Sequence, residues 1–85
     1  MPREHDYLFL AEIGRRLAER REQLGLSQPD LASKVKISHQ MLSRYELGQS
    51  DPPMSTFMRI CSALGISPTP ILVQVALLSE QDKTS

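Results

Sequence analysis

Three glycines, Gly25, Gly48 and Gly65, each close a stretch in which apolar residues recur every three or four positions, and no stretch alternates apolar with polar residues as a half-buried strand does. The chain is thereby cut into helix-length pieces, and the expected fold class is all-α. Leu10, Ile13, Leu17 and Leu24 stripe a first helix that starts near Asp6 to Leu8 and stops at Gly25. Ser27 caps a second, with Asp30 three residues on as a short variant of the capping box. Pro29 falls in its first turn, where backbone N–H groups have no helical partner, and Leu31, Ala32 and Val35 form its apolar side. Only Lys36 and Ile37 precede Ser38, which caps a third helix running through Met41, Leu42 and Tyr45 to Gly48. After the polar loop "GQSDPP", a fourth helix sets Met54, Phe57, Ile60, Cys61 and Leu64 at spacings of three and four. Ser67 and Pro68 open a fifth at about 68–79, and residues 80–85 are expected to form a flexible tail.

A chain of 85 residues suffices for one domain, expected over 1–79. The single cysteine, Cys61, cannot form an internal disulfide, no secretory pattern opens the chain, and the longest apolar run, "ILVQVALL" at 71–78, is far short of the roughly 20 residues that span a bilayer. The expected setting is cytoplasmic. Ten basic residues balance ten acidic ones, so the total charge gives no sign of a polyanionic partner. Between residues 15 and 44, however, seven basic residues (Arg15, Arg16, Arg20, Arg21, Lys34, Lys36, Arg44) face three acidic ones (Glu19, Glu22, Asp30). By charge alone a solvated helix face accounts for this. Enzymatic chemistry has no carrier: there is no glycine-rich phosphate loop and no pair of carboxylates on a cleft. His5 and His39 are far apart and no cluster has ligand spacing, so neither metal nor cofactor is expected. Cys61 lies on an apolar stripe and reads as core.

The second and third helices meet at a tight turn, the outline of a DNA-binding helix-turn-helix. The side chains are more specific than the outline. "IGRRLAERREQLGLSQPDLASKVKISHQMLSRYELG", followed by "MSTFMRICSALGIS", closely resembles the phage-repressor-like (Cro/C1, or XRE) helix-turn-helix family across roughly residues 13–72. The resemblance implies a five-helix, lambda-repressor-like DNA-binding domain with its motif at about 27–47. It implies that Leu31 and Ala32 seat the second helix, that Ile37 and Leu42 complete that small core, and that Arg21 and Glu46 form a partly buried ion pair between the first and third helices. Ser27 and Gln28 fall where members contact a DNA phosphate. Ser38, His39, Gln40, Met41, Ser43 and Arg44 fall on the DNA-facing side of the third helix. There Gln40 suits adenine, Arg44 a guanine or a phosphate, His39 a guanine acceptor or a phosphate, and Met41 a thymine methyl. The polar first turn of that helix thus has a purpose, since it would be pushed against base edges.

The chain departs from the family at three places. Lys36 occupies a turn position usually held by glycine, where a left-handed backbone is expected; its stem would cover the turn and its ammonium reach a phosphate. Leu47 replaces the customary asparagine, and Asp51 lies in a loop that is often basic.

In the fifth helix Ile71, Leu72, Val73, Val75, Ala76, Leu77 and Leu78 cover an arc of roughly 260° at about 100° per residue, more than one core requires. The first six are expected to form a homodimer interface, the competing arrangement being that "YLFL" at residues 7–10 folds back over them. The function expected is that of a small homodimeric, sequence-specific DNA-binding transcriptional regulator, a repressor or autoregulator on a pseudo-palindromic operator. The competing class is a protein-interaction module, antitoxin-like or an adaptor, engaging a protein partner through its apolar last helix.

Overall fold

The computed structural model describes residues 4–83, and side chains for residues 8–77. Five helices follow one another: α1 (Glu4–Gln23), α2 (Gln28–Val35), α3 (His39–Glu46), α4 (Met54–Leu64) and α5 (Pro68–Lys83). Among the described residues there is no strand. α1 is the central post, packing on α3, α4 and α5, while α2 packs on α3 and α4. The core draws on every helix: Ile13 and Leu17 from α1, Leu31, Ala32 and Val35 from α2, Leu42 and Tyr45 from α3, Phe57, Ile60, Cys61 and Leu64 from α4, and Ile71 and Val75 from α5. Burial in this apolar surrounding pushes the Cys61 thiol up to about 11.

The first four helices end on one device. A residue with positive φ donates its N–H to the carbonyl three residues back, and the next N–H reaches the carbonyl five back, the double bond of the Schellman motif. Gly25 and Leu26 do this for α1, at 3.0 and 3.1 Å, and Gly48 and Gly65 head the same pair for α3 and α4. At the end of α2 the residue is Lys36, at φ 62°, the one non-glycine residue with positive φ among the described residues. At their starts, Ser27 accepts from Asp30 N–H at 3.1 Å while the Asp30 carboxylate accepts from Ser27 N–H at 3.2 Å, a complete capping box. That hydroxyl and backbone N–H hold the Asp30 carboxyl below its ordinary range.

Three features differ from the sequence expectation. α1 starts at Glu4 and is over by Gln23, so Leu24 falls in the closing turn, 43% exposed, and leaves the apolar stripe. Met54, at the first residue of α4, is 63% exposed because its turn precedes the packed part of the helix. α5 runs to Lys83, beyond the expected end at 79, so the expected tail at 80–85 is partly helical; residues 84 and 85 lie outside the described residues.

The surplus apolar arc of α5 is shared out. Ile71 and Val75, expected in a dimer interface, instead point into the chain's own core at 8% and 2% exposure, because one face of α5 must cover α1 and α4. Leu72 is half-buried against that core, in a groove of about 240 Å³ that it shares with Phe9, Ile13 and Phe57. Phe9 from "YLFL" lines the same groove. Val73, Ala76 and Leu77 stay exposed on one stripe, and the side chain of Leu78 lies outside the described residues.

Two glycines set the distance between α1 and α3. A β-carbon on Gly14 would come within 2.3 Å of the Tyr45 carbonyl oxygen and 2.4 Å of that of Glu46, both backbone atoms. A β-carbon on Gly48 would meet the backbone of Ala11 at 2.6 Å. α1 and the end of α3 therefore touch backbone to backbone, which only a residue without a side chain permits.

Candidate nucleic-acid interface

α3 presents two sharply different faces. Leu42, Tyr45 and Glu46 are buried and occupy one side. At about 100° per residue, Gln40 and Arg44 stand within about 40° of each other on the side opposite, flanked by His39, Ser43 and Met41. Of these five, all but the half-buried Ser43 are exposed, Met41 at 36%. Ser38, also exposed, spends its hydroxyl oxygen on the helix, accepting from Met41 N–H at 3.1 Å. The sequence-predicted base-facing residues are therefore on one surface, centred on Gln40 and Arg44.

The charge of that surface is set by what the acids pair with. On α1, Glu12 binds Arg15 at 2.6 Å and Arg16 at 3.1 Å, and Glu19 binds Arg15 at 2.8 Å, so much of the positive charge of α1 is met within that helix. The Arg15 guanidinium holds the Glu12 carboxyl below its usual range, and Arg16 adds to this. Arg20 donates to the Leu64 carbonyl at 3.1 Å, closing the C-terminus of α4. Among the described residues, Lys34, Lys36 and Arg44 form no ion pair. Of the basic residues in 15–44, Arg20 is thus spent on a carbonyl, Lys34 helps to lower the Asp30 carboxyl without an ion pair, and Lys36 and Arg44 are left on the turn and α3. Lys36 is exposed on the left-handed turn, and Asp51 is exposed beyond α3.

Arg21 and Glu46 join α1 to α3. Arg21 Nε donates to Glu46 Oε2 at 2.8 Å and its Nη2 to Oε1 at 3.1 Å, a two-pronged contact between side chains only 12% and 4% exposed. The remaining guanidinium nitrogen, Nη1, donates to the Leu26 carbonyl at 2.8 Å. The hydrogen bonds to Glu46 push the Arg21 guanidinium further up.

The start of α2 is less open than its sequence suggests. Ser27 has both its hydroxyl oxygen and its N–H committed to the capping box, Pro29 has no N–H, and the Asp30 carboxylate itself occupies the positive end of the helix. Gln28 Nε2 donates to Glu46 Oε1 at 2.8 Å. The Gln28 backbone N–H and the second proton of its amide are left for an anion. Sequence reasoning had no signal for the Gln28 tie, since it depends on how α2 and α3 cross; Gly14 did leave one, a glycine inside a helix where alanine is intrinsically better by about 1 kcal/mol. Among the described residues no group of three His, Cys, Asp or Glu side chains stands close enough to hold a metal ion.

The helix-turn-helix family matches residues 17–71 of this chain. The HTH-type transcriptional regulator DicA of Escherichia coli (strain K12) is 40% identical over 60 residues, covering 71% of this chain and 44% of DicA. Several of the curated relatives that the chain matches are more than twice as long as the part it spans. Of solved structures, the restriction-modification controller protein C.AhdI from Aeromonas hydrophila has a TM-score of 0.69 at 31% identity, covering 73% of this chain and 94% of that one. The clp gene regulator ClgR from C. glutamicum has a TM-score of 0.74 at 26% identity, covering 80% and 87%.

Proposed function

Because the chain belongs to the helix-turn-helix family, we propose that it is a sequence-specific, DNA-binding transcriptional regulator, cytoplasmic, that seats α3 in the major groove. The observation that carries this reading is the face of α3 opposite its core, where Gln40 and Arg44 are exposed and Arg44 forms no ion pair among the described residues. Amide and guanidinium groups at that position match the donor and acceptor pattern of base edges, and Lys34 and Lys36 suit the flanking phosphates. Ser38, His39, Met41 and Ser43 complete the DNA-facing set. With Ser27 engaged in its cap, the phosphate contact at α2 falls to the Gln28 backbone N–H. The names of DicA and C.AhdI, a transcriptional regulator and a controller protein, support the same class.

The protein acts as a homodimer on a pseudo-palindromic operator, as a repressor or autoregulator. Its partner-facing stripe is Val73, Ala76 and Leu77, with Leu72 at the margin. Apolar side chains at spacings of three and four on one exposed helix face suit a second copy, and readers of this class span half-sites about one helical turn apart. That same stripe, on a chain of zero formal net charge, also favours a second reading, a protein-interaction module.

Selection from a pool of randomised duplexes followed by titration separates the two. The protein is expected to enrich one operator sequence, and Gln40→Ala to cost about 1–3 kcal/mol on that operator and little on a scrambled duplex at the same salt concentration. Equal losses on both would mean that Gln40 does not read sequence; no enrichment by the wild type would leave the interaction module.

A further inference from the structure

We propose that the side chain of Gln28 is a positioning group for the recognition helix, acting through Glu46, whatever anion its backbone N–H meets. The inference rests on the DNA-binding reading and specifies how the start of α2 takes part in it. Gln28 is the first residue of α2, half-buried, and its Nε2 lies 2.8 Å from Glu46 Oε1. The orientation of the amide is fixed by chemistry. An ionised carboxylate only accepts hydrogen bonds, so the NH2 end of Gln28 must face Glu46 and the carbonyl end must face elsewhere. A side chain turned this way has half of its donor capacity spent on the protein.

Glu46 is the point at which three helices are tied. It belongs to α3, takes two hydrogen bonds from Arg21 of α1 and one from Gln28 of α2, and is 4% exposed on its side chain. Arg21 alone fixes the end of α3 to α1. The angle at which α3 leaves α2 is set by the packing of Leu31, Ala32 and Val35 in one core with Leu42, and the one side-chain hydrogen bond crossing between these two helices among the described residues is that of Gln28. Gln28 thus supplies a second tie. Gln40 and Arg44 lie on the same short helix, so a small rotation of α3 about the Arg21 contact would carry them off the base edges while leaving the protein folded and its phosphate-directed cations in place.

The test is a pair of titrations, at one fixed salt concentration, on the operator enriched by the wild type and on its scrambled counterpart. Gln28→Ala is expected to lower operator affinity on the order of tenfold, the size of one lost base contact, while affinity for the scrambled duplex stays within about twofold. Placed on a Glu46→Met background, which keeps the length of the side chain but offers Gln28 no oxygen, Gln28→Ala is expected to add less than about twofold, the non-additivity of two residues acting as one. Equal losses on both duplexes would overturn the proposal and make Gln28 a phosphate ligand. Unchanged affinity for both would overturn it and leave Gln28 a purely structural tie. If Glu46→Met does not fold, the duplex comparison on Gln28→Ala decides by itself. A wild type that enriches no sequence overturns the DNA reading on which this rests, an outcome distinct from the other two.

Discussion

Glu46 carries an unusual density of interactions for one side chain on an eight-residue helix: three hydrogen bonds from two other helices and almost no contact with water. A buried ion pair is not automatically stabilising, since the desolvation of both charges offsets their attraction. Removing one partner is another matter, because the remaining charge stays buried and alone. Glu46→Ala strands the Arg21 guanidinium, 12% exposed, and releases Gln28 as well. The expected cost is about 3 kcal/mol, read as a lowered midpoint in thermal or denaturant unfolding. A midpoint unchanged from wild type would mean that the pair forms only marginally in solution. Arg15 is the contrast. Its contacts to Glu12 and Glu19 are equally short, yet all sit on the exposed side of α1, where such pairs contribute little.

At the scale of the element, the four Schellman endings differ in one residue only, and that residue is Lys36. A side chain in the left-handed region costs about 1–2 kcal/mol relative to the right-handed one, and glycine avoids it at the expense of a floppier unfolded chain. Lys36→Gly is therefore expected to raise stability by about 0.5–1 kcal/mol, measurable as a higher denaturant midpoint, while weakening DNA binding if the ammonium meets a phosphate. A lower midpoint would mean that the lysine stem packs usefully on the turn. Helix boundaries of this kind were legible in the sequence because their causes are local: Gly25, Gly48 and Gly65, the Ser27 and Asp30 box, and Ser38 all act within a few residues. What depends on two elements meeting was not. Gly14 is visible as a misplaced helix glycine, but only the crossing of α1 and α3 shows which carbonyls it makes room for. The surface of Gln40 and Arg44 followed from period and family resemblance, whereas the engagement of Gln28 by Glu46 did not. The apolar arc of α5 is visible in its period, yet periodicity does not say that Ile71 and Val75 are the pair turned inward.

For the whole molecule, the stripe left over on α5 is where the proposed pairing of two copies is tested. Val73 and Leu77 are 51% and 55% exposed, one turn apart, and neither contributes to the buried core. A charge on this stripe is expected to separate two copies without unfolding either. Val73→Glu with Leu77→Glu should sediment as a monomer with an unaltered helical circular dichroism signal, where the wild type is expected to sediment as a dimer at high micromolar concentration. A wild type that is monomeric there would exclude the dimer. The positions first suggested by the sequence are less clean for this purpose, since Leu72 also packs on the core. Cys61 has a consequence of a different sort. It is the one cysteine in the chain, wholly buried, with its thiol held neutral until about pH 11. Only the thiolate attacks alkylating agents and disulfides, so the buried thiol is expected to react slowly in the native chain and to be reached when the structure around it opens. Labelling of this single atom would thus count openings of the folded state one by one, without a probe having to be introduced.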